Sequence, residues 1–141
     1  MDRLGIESWL KLNNIKNYTV NEDLSVDVAG DVSLLELNIV ELPVKFRTVS
    51  GNFTCSQNKL ISLVGCPSSV GGDFLCSVNR LTTLEFCPVQ VGSSFNCDNN
   101  NVENYTINDD LSVDVAGDVT LRRKDLSSIP VRFGIVVGSF V

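Results

Sequence analysis

The residues best suited to chemistry lie in one stretch, GCPSSVGGDFLCSVNRL, which runs from Gly65 to Leu81. It holds two thiols, a carboxylate and a guanidinium, on Cys66, Cys76, Asp73 and Arg80. A cysteine thiolate can act as a nucleophile or a metal ligand. A glycine-rich turn can bind phosphate through its backbone N–H groups. The stretch therefore raises two hypotheses, a reactive thiol site and a phosphate-binding loop.

The rest of the sequence speaks against both hypotheses. The chain has five cysteines and no histidine, and the cysteines lie alternately 11 and 10 residues apart, at Cys55, Cys66, Cys76, Cys87 and Cys97. This spacing contains no Cys-x-x-Cys pair, so zinc is poorly supported. A phosphate loop needs a helix after it, whereas the alternation at Phe74-x-Cys76 is typical of a strand. We therefore predict a protein that is not an enzyme, with no metal or cofactor, and interpret the cysteines as buried core residues.

Charge and hydropathy limit the partners. The formal net charge is −6, which repels the phosphates of nucleic acids and anionic membrane surfaces. No window approaches 18 apolar residues, so the sequence predicts no membrane span. The beginning of the chain, MDRLGIESWLKLNN, is unlike a secretory signal. We expect a cytoplasmic protein with free thiols that contacts neither nucleic acid nor membrane.

An internal repeat explains the opening stretch. Three phenylalanines, three cysteines and three asparagines each recur at intervals of 21 residues, at Phe53, Phe74 and Phe95, at Cys55, Cys76 and Cys97, and at Asn58, Asn79 and Asn100. A longer segment, NYTVNEDLSVDVAGDV, recurs 87 residues later as NYTINDDLSVDVAGDV. One such coil cannot bury its own apolar face, but stacked coils form a continuous core. Equivalent strands then pair in parallel at a spacing of about 4.7–4.9 Å.

These units resemble leucine-rich repeats, whose pattern is L-x-x-L-x-L-x-x-N/C-x-L. The resemblance covers about residues 26–141, with Leu37 and Lys124 where the family has asparagine. It implies a leucine-rich repeat solenoid with a single parallel β-sheet, a mostly extended convex side and a short N-terminal capping helix. The family's asparagine bonds the backbone of the neighbouring turn. GCPSSVGGDFLCSVNRLTTLE is also similar to repeat proteins of tailed bacteriophages.

The same interpretation divides the chain into a cap and a solenoid within one domain. Residues 1-16 form the helical cap, in which the helix of residues 3–13 places Leu4, Trp9 and Leu12 near one face. Residues 17-141 form the solenoid, with about five repeats and a truncated sixth. The segment Tyr18–Val28 is predicted to form a strand, a turn and a second strand. The glycines of VGGDF are interpreted as turn residues that need a positive φ or a close backbone approach.

Two surfaces are candidates for binding. The first is the exposed face of the repeat sheet, which leucine-rich repeats use for partners; its residues are Leu35, Glu36, Gln57, Leu75, Val78, Asn96, Asp98, Arg122 and Arg123. The second is the apolar C-terminal segment, predicted to form a homodimer by strand addition through Phe133, Ile135, Val137 and Phe140. That segment has two alternative interpretations: it folds back as the last coil, or the chain is a fragment of a longer array.

The sequence therefore predicts a non-catalytic protein–protein interaction scaffold. The resemblance to phage proteins implies a phage-encoded protein that acts on a host factor in the bacterial cytoplasm. The alternative is a self-assembling structural protein, or a ligand-sequestering protein, of a phage.

Overall fold

The fold is a succession of short strands after one helix, seen in a computed structural model that describes residues 1–100, 112–120 and 132–139. The helix α1 spans Arg3–Leu12. The strands are β1 Tyr18–Val20, β2 Val26–Val28, β3 Val32–Ser33, β4 Phe46–Val49, β5 Phe53–Thr54, β6 Ser69–Val70, β7 Phe74–Leu75, β8 Gln90–Val91, β9 Phe95–Asn96, β10 Ser112–Val115, β11 Val119–Thr120 and β12 Arg132–Val136.

These strands form a parallel β-solenoid with coils of about 21 residues. Within the described ranges they build two sheets, one in the order β1-β2-β4-β6-β8-β10-β12 and one in the order β3-β5-β7-β9-β11. All pairs in the described ranges are parallel except β1 with β2, which are antiparallel. These two strands lie in the segment Tyr18–Val28, for which the sequence predicts a strand, a turn and a second strand. The prediction of a single sheet was wrong. Each coil contributes a second short strand before its turn, such as Ser69–Val70, and these strands pair from coil to coil as well.

The repeated phenylalanines form the centre of the core. Phe53, Phe74 and Phe95 are aligned by the pairing of β5, β7 and β9, and all three are buried. The ring centroids of Phe53 and Phe74 are 6.0 Å apart in a stacked arrangement, and those of Phe74 and Phe95 are 5.3 Å apart. Burying a phenylalanine side chain contributes about 1.5–3 kcal/mol. The 21-residue spacing thus repeats one large apolar contribution in every coil.

The repeated asparagines connect each coil to the one before it, as the resemblance implied. The Asn79 side-chain oxygen accepts a hydrogen bond from the Leu60 N–H at 3.0 Å, and its amide donates to the Cys55 carbonyl at 3.0 Å. Asn58 and Asn100 make equivalent bonds one coil earlier and one coil later, Asn58 accepting from the Ile39 N–H and Asn100 from the Leu81 N–H. All three side chains are buried, so these bonds satisfy backbone groups that water cannot reach.

A second ladder of side chains runs along the turns between the two sheets. Asp31 accepts a hydrogen bond from the Asn52 N–H at 2.7 Å, and Asn52 accepts one from the Asp73 N–H at 2.8 Å. Asp73 accepts in turn from the Ser94 N–H at 2.9 Å. The turns approach so closely that a Cβ atom on Gly71 would lie 2.1 Å from the Ser50 carbonyl oxygen. Close backbone approach, the second of the two predicted reasons, explains this glycine.

The long duplicated segment carries a β-bulge. Between β2 and β4 the register shifts after Val26, and the Asp27 carboxylate accepts from the Thr48 N–H and from the Arg47 side chain. Between β10 and β12 the register also shifts, and the Asp114 carboxylate accepts from the Ile135 N–H at 2.9 Å. An aspartate therefore completes the hydrogen bonding of each bulge, which explains why SVDV occurs in both copies.

The helix α1 packs against the β1 end of the solenoid. The Asp2 side chain caps it by accepting from the Gly5 N–H at 2.9 Å. Arg3 donates to the Val20 carbonyl at 2.7 Å, which fixes the helix to β1. The predicted helix is confirmed, but its buried face is formed by Ile6 and Leu10, whereas Leu4 and Leu12 are exposed. The i, i+4 pair faces the core, with Trp9 partly buried beside it.

Candidate binding surfaces

The predicted partner-binding face contains a row of residues in the left-handed backbone conformation. Glu36, Gln57, Val78 and Asn99 lie 21 residues apart and have φ between 55° and 56°. Each follows a strand of the five-stranded sheet and turns the chain at a corner of its coil. We call these four residues the left-handed row. The sequence predicted the first three as contact residues but gave no sign of their shared backbone conformation.

Val78 is the unusual member of the row. Its side chain is 48% exposed, so little of it contributes to the core. A β-branched residue with positive φ is a genuine outlier, because its Cβ comes close to the neighbouring carbonyl oxygen. The left-handed conformation costs about 1–2 kcal/mol for an ordinary L-residue, and less for asparagine. Val78 therefore holds an exposed apolar side chain at a position where the fold favours Asn or Gly.

The remaining residues predicted on this face fall into three groups. Leu35 is exposed, and Leu75 and Asn96 are half-buried. Asp98 is only 6% exposed, and Ser56 at the equivalent position two coils earlier is also buried. The sequence predicted Asp98 on the partner-binding face, whereas the structure buries it. Arg122 and Arg123 lie outside the described residues.

The predicted self-association segment forms β12 and the residues after it. Phe133 lies in β12, which pairs in parallel with β10. Ile135 is 65% exposed and Val137 is 73% exposed. The Val119 N–H donates to the Ser139 carbonyl at 2.8 Å, so the chain continues as another coil beyond β12. Phe140 lies outside the described residues.

A groove that the sequence interpretation missed lies on another corner of the solenoid. It has a volume of about 540 Å³ and is lined by residues of three successive coils: Leu42, Pro43, Val44, Lys45, Val64, Gly65, Cys66, Ser68, Phe86 and Cys87. We call it the corner groove. Its walls are mostly apolar, and Lys45 is the one charged residue among those that line it.

Two turns with the same hydrogen bond shape the corner groove. The Cys66 N–H donates to the Leu63 carbonyl at 2.9 Å, and the Cys87 N–H donates to the Leu84 carbonyl at 3.1 Å. The third residue of each turn has positive φ, 95° at Gly65 and 69° at Phe86. A Cβ atom at Gly65 would lie 2.8 Å from the Val44 carbonyl oxygen, so only glycine fits there.

Phe86 occupies the glycine position of its own turn. Its ring is 57% exposed, and a bulky residue with positive φ is strained. Residues in such conformations are found disproportionately at ligand clamps and binding sites. The comparison of VGCP with EFCP in the two repeats is the sequence signal that could have identified this position.

The thiols form two groups. Cys55, Cys76 and Cys97 are buried in the core, which confirms the structural interpretation, and all five cysteines are free. Cys66 and Cys87 are half-buried, since they pack on the core and also line the corner groove. Burial raises the pKa of the Cys55 and Cys97 thiols well above the usual value. Burial also raises the pKa of Cys87 to about 12.

Within residues 1–100, 112–120 and 132–139, no group of three or more potential ligands could hold a metal ion. Over the same ranges no helix has the length and apolar character needed to cross a bilayer. No protein-family model, curated protein or solved structure matches the chain.

Proposed function

We propose that the chain is a non-catalytic scaffold that binds a protein partner through the left-handed row and the strand residues beside it, Leu35 and Leu75. The observation that carries this proposal is Val78. It combines an exposed apolar side chain with a strained backbone, and nothing in the packing of its coil requires valine at this position.

The rest of the row supports the same function. Glu36, Gln57 and Asn99 have nearly the same φ angle as Val78, whereas their side chains differ in charge and polarity. The hydrogen-bond ladders hold these positions rigidly, which lowers the entropy cost of binding. A rigid row of varied side chains is suited to recognising a surface rather than to catalysis.

The test is capture of partners from lysate of the cells in which the protein occurs, followed by quantitative mass spectrometry. We expect a protein enriched by the native chain to be lost with Val78→Asp. Thr82→Asp is the matched control, because Thr82 is exposed in the same coil but lies outside the row. Equal enrichment by the native chain and Val78→Asp would remove this surface from the proposal.

Membership of the leucine-rich repeat family is part of the proposal. The 21-residue period, the buried leucines at Leu60 and Leu81, and the asparagine ladder support it. The similarity to phage repeat proteins extends the proposal to a phage-encoded protein that acts in the bacterial cytoplasm on a host factor. In that case the captured partner is a bacterial protein, and Arg122 and Arg123 extend the contact surface.

Self-association through β12 is a second proposal, favoured by the exposure of Ile135 on this strand at the edge of the described sheet and of Val137 directly after it. An exposed apolar edge strand is a template for pairing with a second copy. Light scattering of the 141-residue chain should give the mass of a dimer, and Val137→Lys should give the mass of a monomer. A monomeric native chain at high concentration would exclude the dimer.

A further inference from the structure

The corner groove has the size and the lining of a small-molecule site. Its volume of about 540 Å³ falls within the range of about 300–1,000 Å³ that is usual for ligand pockets. Such pockets are lined mainly by apolar side chains, with a few polar groups that fix the orientation of the ligand. Val64 and Phe86 line the groove and are 55% and 57% exposed, so water covers apolar surface there. A ligand with an apolar body would displace this water favourably.

The exposed ring of Phe86 comes with backbone strain. Val44, Gly65 and Phe86 occupy equivalent positions in three successive coils, and all three line the groove. The middle turn uses glycine at φ 95°, which costs no steric strain, whereas Phe86 holds φ 69° with a bulky side chain. Because more than half of the ring is exposed, packing of the core does not account for phenylalanine at this position. A contact with a ligand accounts for both the exposure and the strain.

Lys45 indicates the charge of the ligand. It is exposed and is the one charged residue in the lining, in a chain whose formal net charge is −6. Asp23 lies within electrostatic reach of Lys45, but Lys45 forms no ion pair in the described part of the chain. The Ser68 hydroxyl, also in the lining, already donates to the Arg47 carbonyl at 3.0 Å. One ammonium group therefore suits a monoanion such as a carboxylate better than a phosphate ester, which carries about two charges and several acceptor oxygens.

We infer that the corner groove binds a small monocarboxylate with an apolar body, such as a medium-chain fatty acid. The carboxylate pairs with the Lys45 ammonium group, and the alkyl chain covers Val64 and the ring of Phe86. Binding is reversible and forms no covalent bond. The inference does not depend on the proposed partner-binding function, because the left-handed row and the corner groove share no residue.

The test is an NMR titration of the 141-residue chain with octanoate, its neutral amide octanamide, and hexanoate. Octanoate should bind saturably and shift the backbone amide signals of Gly65, Cys66 and Phe86. Hexanoate should bind about tenfold more weakly, because it buries two fewer CH₂ groups. Octanamide should bind about threefold more weakly than octanoate, because it lacks the charge that pairs with Lys45 at this exposed site.

Two variants separate the apolar contact from the charge. Phe86→Gly should fold as the native chain does, because glycine already occupies the equivalent turn position at Gly65. It should nevertheless bind octanoate about fivefold more weakly, since the ring no longer covers the alkyl chain. Lys45→Met keeps an apolar stem without the charge, so octanoate should bind to it only as tightly as octanamide does.

Ile61→Thr and Lys59→Met are the matched controls, because both side chains are exposed and neither lines the groove. Both should bind octanoate as the native chain does. The inference is overturned by absent or unsaturable octanoate binding, by shifts confined to other surfaces, or by equal affinity of the native chain for octanoate and octanamide. Undiminished binding by Phe86→Gly or equal losses in the controls also overturn it. If circular dichroism shows that a variant does not fold, the three ligands on the native chain decide the question.

Discussion

Replacing Asn79 with alanine tests the principle that holds successive coils together. The change removes the only acceptor that the structure gives the buried Leu60 N–H, at 3.0 Å, and three donor contacts to backbone carbonyls. The carbonyl of Cys55 keeps a hydrogen bond from Asn58 and loses little. The Leu60 N–H is left without an acceptor, and this unpaired buried donor accounts for most of the expected loss in the free energy of unfolding.

The size of the expected destabilisation follows from the free energy of leaving a buried donor unpaired. Leaving it without a partner costs about 1–3 kcal/mol, and the lost carbonyl contacts add about 1 kcal/mol. We therefore expect Asn79→Ala to reduce the free energy of unfolding by about 3 kcal/mol. For a chain of this size that corresponds to a fall in melting temperature of about 10 °C.

Urea unfolding followed by circular dichroism measures this difference, with Asn52→Ala as the matched control. Asn52 makes the same kind of side-chain bond to the next coil, but it is exposed, so water replaces its oxygen as the acceptor. We expect the control to lose about 1 kcal/mol or less. If Asn79→Ala and Asn52→Ala lose equal amounts, burial of the ladder does not provide the stability argued here.

Three further predictions concern other parts of the molecule. Val78→Asn should raise the free energy of unfolding by about 1 kcal/mol, because asparagine tolerates the left-handed conformation, and a lower stability in urea would contradict the strain. Asp27→Asn should lower the melting temperature by a few degrees at pH 7. The Arg47 side chain holds the pKa of Asp27 well below its usual range, so this stabilisation is complete above about pH 4. In more acidic solution the difference in melting temperature between the variant and the native protein should therefore shrink. A difference that stays constant with pH would refute this prediction. In Cys66→Ser at pH 8, Cys87 should react with a disulfide reagent about 10³-fold more slowly than an ordinary thiol, because its pKa is about 12; rapid labelling of the native state would refute this.

The repeat of single residues predicted the stacked coils and the core, but not the second sheet. Phe74, Cys76 and Asn79 recur at one interval, and that interval alone fixes which residues align. Strands such as Ser69–Val70 contain two residues, too few for an alternating pattern to appear. They form because the coil is already held at the correct spacing by its neighbours, which is a tertiary effect.

The candidate sites also combine features that the sequence predicts with features that only the structure shows. The sequence predicts that Val78 is exposed because it lies between core positions, whereas its positive φ is seen only in the structure. The corner groove depends on three turns from separate coils meeting at one corner, with Gly65 between Val44 and Phe86. The two cysteines were correctly aligned as a pair by sequence, but only the structure shows that they reach the surface of the groove.

The two side-chain ladders differ in direction, and this has a consequence for synthesis on the ribosome. Asn79 reaches back to complete the coil that was made before its own, whereas Asp31 and Asp73 offer acceptors to coils made later. A coil leaving the ribosome thus finds a ready acceptor on its predecessor, but its own interior stays incomplete until about 21 more residues emerge. Folding during translation should advance one coil at a time and lag one coil behind the growing chain.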